Sequence, residues 1–394
     1  MPVPTHTVIL VHLSGQWQTF HRRPMLLALA RALPDGVALL VVDRPITLDV
    51  GWWRHPRRFV RHVWRSGLRD EDGKLHVIQT RIPFHDHILY RLPGLSSLNA
   101  WLLGRQLRHH LRRLGLAGAR VIHWIYHPVQ LWVTRSLAGR ALVYECYDEY
   151  AHTPDGEFLP WMWECDLRTL AAADLSLVTT AALCERRAPH ARSIHVVPNG
   201  IPDSFLNEPA DVPDPADRIP HPRIGYVGVF RRPIDTELLC EVFRDNPEWH
   251  LVMIGPVTSG ADAARLRRLP NAHFLGARPF DALPAILRKL DVGLIPHRVT
   301  AFTEGMRPLK LAEYLSAGLP VAATPLPELT ALPDLVAIGE NEPSSFTAAI
   351  VLALSRRTPE FRRRAQQWAQ LHTWDHIVAD RVMPPLRRLW ENAD

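Results

Sequence analysis

Short runs of consecutive apolar residues alternate with longer stretches of helical period along most of the chain. This is the pattern of parallel strands buried on both faces and joined by crossover helices. In the first half the runs at 8–13, 37–43, 76–81, 121–126, 141–146, 175–179 and 194–197 read as strands, with helices at 23–33, 98–114 and 163–173. A second series follows Pro220, with strands at 224–229, 250–254, 272–275, 292–295 and 321–324 and helices at 235–244, 279–290 and 309–317. The expected class is therefore α/β, with two wound sheets built one after the other.

Between the two series, residues 207–222 (NEPADVPDPADRIPHP) are polar and proline-rich with no apolar period, as an interdomain linker requires. The expected division is a first domain over 1–206, the linker, a second domain over 223–365, and terminal helices over 366–394. The stretch FRRRAQQWAQLHTWDHIVADRV reads as a long helix broken at Pro384 and Pro385 and resumed in LRRLW. Lying beyond the last strand, it is expected to pack back across the first domain.

Composition narrows the class. A length of 394 residues favours two domains over one, and 47% hydrophobic with 22% charged residues is a globular balance. The first sixteen residues lack a basic lead-in and a small-residue cleavage site, and their apolar run is too short to span a bilayer, which predicts a cytoplasmic protein. Cys146, Cys165, Cys184 and Cys240 form no C-x-x-C pair, so buried free thiols are expected. The net charge of +6 is unevenly placed: residues 1–144 hold 20 basic against 7 acidic side chains, the remainder 26 against 33. Only Lys74, Lys289 and Lys310 among the 46 basic residues are lysines, an arginine bias that leaves each arginine little individual meaning.

In open α/β sheets ligands bind beyond the carboxyl ends of the strands. Three exits carry glycine: Pro198-Asn199-Gly200, where Asn-Gly predicts a sharp turn with positive φ; Gly228, followed by Arg231, Arg232 and the helix cap Asp235; and Gly255-Pro256. The richest exit is VGLIPHRVTAFTEGMRPLKLAEYLSAGLPVAAT. There Pro308 is suited to the first helical position and Gly318 to the helix end, which sets Lys310 and Glu313 on one face of the first turns. A cation beside unsatisfied backbone N–H groups suits a diphosphate, and a carboxylate one turn on can accept hydrogen bonds from two ribose hydroxyls. An ordinary surface ion pair is the plainer reading of the same two residues.

Pro308, Lys310, Glu313-Tyr314-Leu315, Ala317-Gly318 and Pro320-Val321, preceded by Val196–Ile201 and Gly225-Tyr226-Val227-Gly228, resemble the donor-binding half of GT-B glycosyltransferases. The resemblance is to glycosyltransferase family 4 and related bacterial polysaccharide-building enzymes. With Arg23-Pro24 and the stretch 144–150 it covers nearly the whole chain. It implies two Rossmann-like domains facing a cleft, a nucleotide-diphosphate sugar as donor substrate, and no cofactor or metal. The donor-binding set it implies is Asn199, Gly228, Arg231, Gly255, Glu304, Gly305, Met306, Lys310 and Glu313. Glu313 resembles the second glutamate of the family's E-x7-E pattern; the first falls at Gly305, with Glu304 one place early.

Glycosyl transfer needs a base for the acceptor hydroxyl. Asp148 and Glu149 follow the strand at 141–146, His127 follows that at 121–126, and His12 ends the first. The resemblance favours Asp148, with His127 as the alternative. Asp70, Glu71 and Asp72 spell D-x-D, but no apolar strand precedes them and a surface turn is expected. Residues 52–69 interleave aromatic and basic side chains, an amphipathic surface able to meet anionic lipid headgroups or to lie half-buried. No nucleic-acid recognition motif accompanies it.

The reading is a glycosyltransferase moving a sugar from a nucleotide donor to a glycan, lipid-linked or other hydroxyl acceptor. A sugar-nucleotide epimerase on the same plan and a non-catalytic two-domain solute-binding protein are the rivals.

Overall fold

The structure, a computed structural model, describes residues 6–47, 66–71, 74–85, 88–89, 94–207, 213–230, 233–258 and 260–391. The first sheet contains β1 (Thr7–His12), β2 (Val37–Thr47), β3 (Gly67–Asp70), β4 (Leu75–Ile82), β5 (Arg120–Ile125), β6 (Ala141–Cys146), β7 (Leu175–Val178) and β8 (Ile194–Val196). The order is β3-β4-β2-β1-β5-β6-β7-β8, parallel except for the β3–β4 pair. In the second sheet, β9 (Arg223–Val227), β10 (His250–Ile254), β11 (Ala272–Gly276), β12 (Val292–Ile295), β13 (Val321–Ala323) and β14 (Val336–Ile338) run in the order β11-β10-β9-β12-β13-β14.

Strands such as TVILVH and RIGYV are buried at every position, because helices cover both faces. On the first sheet one face packs α1 (Arg23–Ala32), whose buried side includes Met25, Leu26 and Leu29. The other packs α2 (Leu95–Arg113) through Leu103, Leu107 and Leu111. The second sheet is covered by α3 (Thr236–Asp245) with α5 (Pro343–Ser355) on one face, and by α4 (Leu309–Ser316) with α6 (Pro359–Gln370) on the other.

Strand order reverses direction between β1 and β5 in the first sheet and between β9 and β12 in the second. Crevices open at such switch points, so the loops after these four strands are the ones the topology exposes to a ligand.

The chain end crosses back as expected, but its breaks differ from those expected. Helix α6 stops at Gln370, and Thr373 caps a new helix at Trp374–Ile377 by accepting from the His376 N–H. A π-turn at Val378–Val382 leads into a last helix, Met383–Glu391, which runs through Pro384 and Pro385. The helical path is continuous from Trp374, and the prolines fall directly after its π-turn instead of marking a break. Trp374, Ile377, Val378, Val382, Met383 and Leu386 all enter the core of the first sheet. At roughly 1.5–3 kcal/mol for each large aliphatic side chain buried, this contact far outweighs the exposed Arg31–Asp375 pair, worth about 0–1 kcal/mol.

The chain leaving the first domain at Ile201 is tied to the chain returning to it at Thr373. Ile201 N–H donates to His372 O (3.0 Å) and Trp374 N–H to Ile201 O (2.9 Å). Gly200 lies where a β-carbon would stand 2.8 Å from Ile377 Cδ1 and 3.0 Å from His372 O. Close approach, not positive φ, is what this glycine supplies: neither Asn199 nor Gly200 has left-handed backbone.

Candidate active site in the interdomain cleft

On the second domain the site begins with two glycines. Gly228 (φ 148°) leaves β9 and donates its N–H to Ile254 O (2.8 Å); Gly255 (φ 138°) leaves β10 so close by that a β-carbon there would stand 1.9 Å from Gly228 O. Side chains are thus excluded from both exits, leaving bare backbone at the cleft floor.

Helix α4 is set over this floor by Tyr314. Its hydroxyl accepts from Val227 N–H (3.0 Å) and donates to Leu294 O (3.3 Å), and its ring lies on Gly293, bridging the two strands of the switch point. Leu309 is the first helical residue, as the expected range 309–317 has it, and Pro308 takes the cap position instead of the first helical one. Lys310 then reaches over Gly228, with Cε 2.8 Å from the position of a β-carbon there, and its Nζ meets Glu313 Oε2 at 2.9 Å. Glu313 is buried and Lys310 half-buried. The pair stands at the helix start beside the glycine floor, where a surface ion pair would have neither burial nor backbone beneath it.

The loop between β12 and α4 is rigidified from within. Thr300 and Thr303 cap the short helix Ala301–Glu304 reciprocally, with Thr303 fully buried. Glu304 is exposed at its end, Gly305 is buried, and Met306 is half-buried with its N–H on Thr303 O (3.0 Å). Arg307 pairs with Glu328, and its carbonyl accepts from Asn199 Nδ2. Asn199, from the first domain, therefore grips the donor-side loop by its backbone. Arg231 and Arg232 lie outside the described residues, and Asp235 caps α3 by accepting from Leu238 N–H (3.2 Å).

The first domain closes on Gly305. Thr180 Oγ1 donates to Gly305 O (3.3 Å), and a β-carbon at Gly305 would stand 3.0 Å from Glu149 Cβ and 3.1 Å from Arg186 Nη2. Glu149 is one of four buried or half-buried charges: Arg187 spans Glu149 (3.1 Å) and Asp166 (2.8 Å), while Arg186 reaches Glu149 Oε2 (3.1 Å). Burial pushes the Glu149 carboxyl up, but Arg187 and Arg186 outweigh it and hold the group below its ordinary value. It is a fixed carboxylate of the wall, already committed to arginine, and no acceptor of protons from substrate.

Asp148 is half-buried at the exit of β6, where its Oδ1 accepts from Glu149 N–H (3.0 Å). The neighbouring Tyr147 hydroxyl lies 3.1 Å from Ser14 Oγ, joining this exit to the loop after β1. His127 caps the 3-10 turn Pro128–Arg135 through Nδ1, which accepts from Val129 N–H (3.4 Å). With Nδ1 taken up by this cap, Nε2 is the ring nitrogen left for other partners. His12 is buried against His123 (Nε2 to Nδ1, 3.0 Å), and burial lowers the pKa of both rings. Both are buried side chains of the first domain's core.

The sequence did not point to Arg187, Asp166, Thr180 or Arg307. Arg22 was missed as well; it lies fully buried on Glu145 (2.9 Å), between the rings of Tyr147 and Trp374. A buried arginine looks like any other in so arginine-rich a chain. Asp70 and Glu71 fall at the β3–β4 turn, near His76 (3.7 Å) and Arg23 (3.5 Å), while Asp72 lies outside the described residues. All four cysteines are free, Cys146 and Cys240 buried and the others half-buried. Among the described residues no helix is long and apolar enough to cross a membrane.

Two doubly wound domains closing on a helix-start cation, a buried carboxylate and a glycine floor define the GT-B class of glycosyltransferase. Residues 221–356 match the model of the family described as glycosyl transferases group 1. The chain is 23% identical over 278 residues to the teichuronic acid biosynthesis glycosyltransferase TuaH of Bacillus subtilis, covering 66% of this chain and 70% of that protein. Its fold matches the alpha,alpha-trehalose-phosphate synthase (UDP-forming) of Burkholderia xenovorans in complex with glucose-6-phosphate, with a TM-score of 0.67 at 13% identity over 97% of this chain and 99% of the other. It also matches Anabaena Alr3699/HepE in complex with UDP and glucose, with a TM-score of 0.63 at 14% identity over 95% and 96% of the two chains. The protein is a glycosyltransferase of the GT-B fold.

Proposed function

We propose that the protein transfers a hexosyl group from a uridine diphosphate sugar to a hydroxyl of a growing or lipid-linked polysaccharide, without a metal ion. The observation that carries this reading is the Lys310–Glu313 pair above Gly228. The diphosphate lies against the N–H groups at the start of α4 with Lys310 beside it, and Glu313 takes the ribose hydroxyls. As the glycosidic bond to the diphosphate breaks, negative charge grows on the leaving oxygen. A fixed cation and oriented amides stabilise it there, which is the part a metal plays in other phosphate sites. Uridine is supported by the UDP held by a protein of the same fold, and a polysaccharide acceptor by the role for which TuaH is named.

Asp148 accepts the acceptor's proton in this reading, since Glu149 is locked to arginine and His127 Nδ1 is already engaged by Val129 N–H. The backbone of Gly305 and Met306, with exposed Glu304, lies where the sugar meets the first domain.

An anionic membrane surface is the proposed setting. Helix α2 contains no acidic residue, and its exposed side carries Leu98 and Trp101 followed by Arg105, Arg108 and Arg112. His110 of this helix lies 2.8 Å from Ser66 Oγ, next to the basic aromatic run, whose residues 52–65 are outside the described residues. Each basic side chain near such a surface is worth about 1 kcal/mol.

The test is donor turnover. Incubation with UDP-sugars is expected to release UDP only when a polysaccharide or lipid-linked acceptor is supplied, and equally well in EDTA. Acceptor-independent conversion of the sugar nucleotide would replace transfer with epimerisation, and loss of turnover in EDTA would overturn metal independence.

A further inference from the structure

At the edge of the second sheet opposite the cleft lies a cavity of about 660 Å³. It sits where β12 and β13 begin, and its wall includes the end of α4 at Gly318 and the start of α6 at Thr358 and Pro359. Four arginines line it, Arg288, Arg357, Arg362 and Arg363, against a single carboxylate, Asp291.

That carboxylate is already taken. Asp291 Oδ2 accepts from Arg223 N–H (2.5 Å) and lies 2.6 Å from His221 Nδ1, while Oδ1 lies 2.6 Å from Arg357 Nη2. Fully buried, it pairs with Arg357 and makes no ion pair with Arg362 or Arg363. Among the described residues the guanidinium groups of Arg362 and Arg363 have no hydrogen-bonding or ion-pair partner. The stem of Arg362 lies on Gly318, where a β-carbon would stand 2.4 Å from its Cγ; Gly318 has φ 70°, so this close packing relies on a glycine. The start of helix α6 adds little of its own, since Pro359 has no N–H and Thr358 already accepts from Phe361 N–H through its hydroxyl and from Arg362 N–H through its carbonyl.

We infer that this cavity is a second, oxyanion-binding site, separate from the donor site and suited to a ligand with two or more closely spaced phosphate or carboxylate groups. Guanidinium groups match such oxyanions in planar, two-pronged hydrogen bonds, and several cations facing one concavity favour multivalent over single anions. Its volume accommodates a phosphorylated sugar or a short stretch of an acidic glycan. The inference rests on the cavity alone and does not depend on the donor assignment.

The test is isothermal titration of the full chain with inorganic tripolyphosphate and, separately, with an oligomer of glucuronic acid. These distinguish phosphate from carboxylate as the source of charge. Either ligand is expected to bind wild-type protein, to bind Lys310→Ala undiminished at the second site, and to bind Arg362→Ala/Arg363→Ala at least tenfold more weakly. Both arginines are exposed, so the double variant is expected to keep its Tm and its affinity for UDP. Loss of binding in Lys310→Ala with retention in the arginine variant would assign the anion to the cleft and overturn the proposal. Absence of binding by both probes at low salt would do the same.

Discussion

Lys310 Cε lies 2.8 Å from the point a β-carbon on Gly228 would occupy. The cation of the helix start and the backbone of the strand exit are thus one construction, since the lysine keeps its place only while the position beneath it is glycine. Gly228 has φ 148°, so any L residue there is strained as well as crowded. Gly228→Ala is expected to raise the donor KM tenfold or more while far-UV circular dichroism stays unchanged. A normal KM in the folded variant would detach Lys310 from the donor.

Glu313 and Lys310 are separable by what each leaves behind. Lys310→Ala removes a charge-assisted contact of roughly 1.5–3 kcal/mol, about ten- to hundredfold in affinity for a nucleoside diphosphate, and leaves affinity for the uncharged nucleoside nearly intact. Glu313→Gln is expected to weaken both, because the ribose is common to them. Titration of UDP and uridine against the two variants reads the difference directly.

How far the sequence disclosed this site follows from the range of each contact. Buried parallel strands such as β1 and β9 stand out because every position is apolar, and α4 stands out through Pro308, Lys310, Glu313 and Gly318 over eleven residues. Strand β3 has only GLRD, largely exposed, and β14 only three residues; neither is long enough to carry a period. The wall behind Gly305 is illegible for a different reason. Arg187 meets Glu149 across 38 residues and Thr180 meets Gly305 across 125, so no local spacing records either contact. The break before Thr373 was misplaced because two prolines looked like the stronger signal, whereas a threonine cap set the new helix start.

Asp148 and His127 make opposite predictions. Asp148→Asn keeps an acceptor for Glu149 N–H (3.0 Å) and removes the base, so kcat is expected to fall about a hundredfold or more with UDP affinity unchanged. His127→Asn retains a side-chain acceptor for Val129 N–H, and a loss of about tenfold or less is expected. Steady-state kinetics with saturating donor decide between them. Full activity of the Asp148 variant would move the base elsewhere.

Acid stability is governed in its first phase by buried histidines. Burial lowers His372, stacked on Trp368, and His110 each to about 4, and lowers His12 and His123 as a pair. In the unfolded chain these rings titrate near 6.5. Below that pH the unfolded state takes up protons that the folded state refuses, so stability is full above about 6.5 and declines as the pH falls toward 4. Urea unfolding at pH 7.5 and 5.0 is expected to show this loss, and His372→Gln to reduce it by removing one titrating group. Equal stability of the wild-type protein at both values would contradict the buried, neutral rings.

Gly305 is where the domains touch beside the donor loop, and its missing side chain sets how closely they approach. A β-carbon there would meet Glu149 Cβ at 3.0 Å, Arg186 Nη2 at 3.1 Å and Leu183 Cδ2 at 3.1 Å. The first and last of these cannot withdraw freely, since Glu149 is held by Arg187 and Leu183 is fully buried. The two further atoms of valine would fall inside that wall, so Gly305→Val is expected to push the loop off the first domain and break the Thr180 hydroxyl's bond to Gly305 O. The donor elements on α4 stay intact, so UDP affinity should change by no more than a few-fold. Turnover, which needs the acceptor side brought against the sugar, should fall far more. Small-angle scattering with UDP bound supplies the second readout: the variant should have the larger radius of gyration. Wild-type compactness together with wild-type kcat would mean that closure does not pass through this contact.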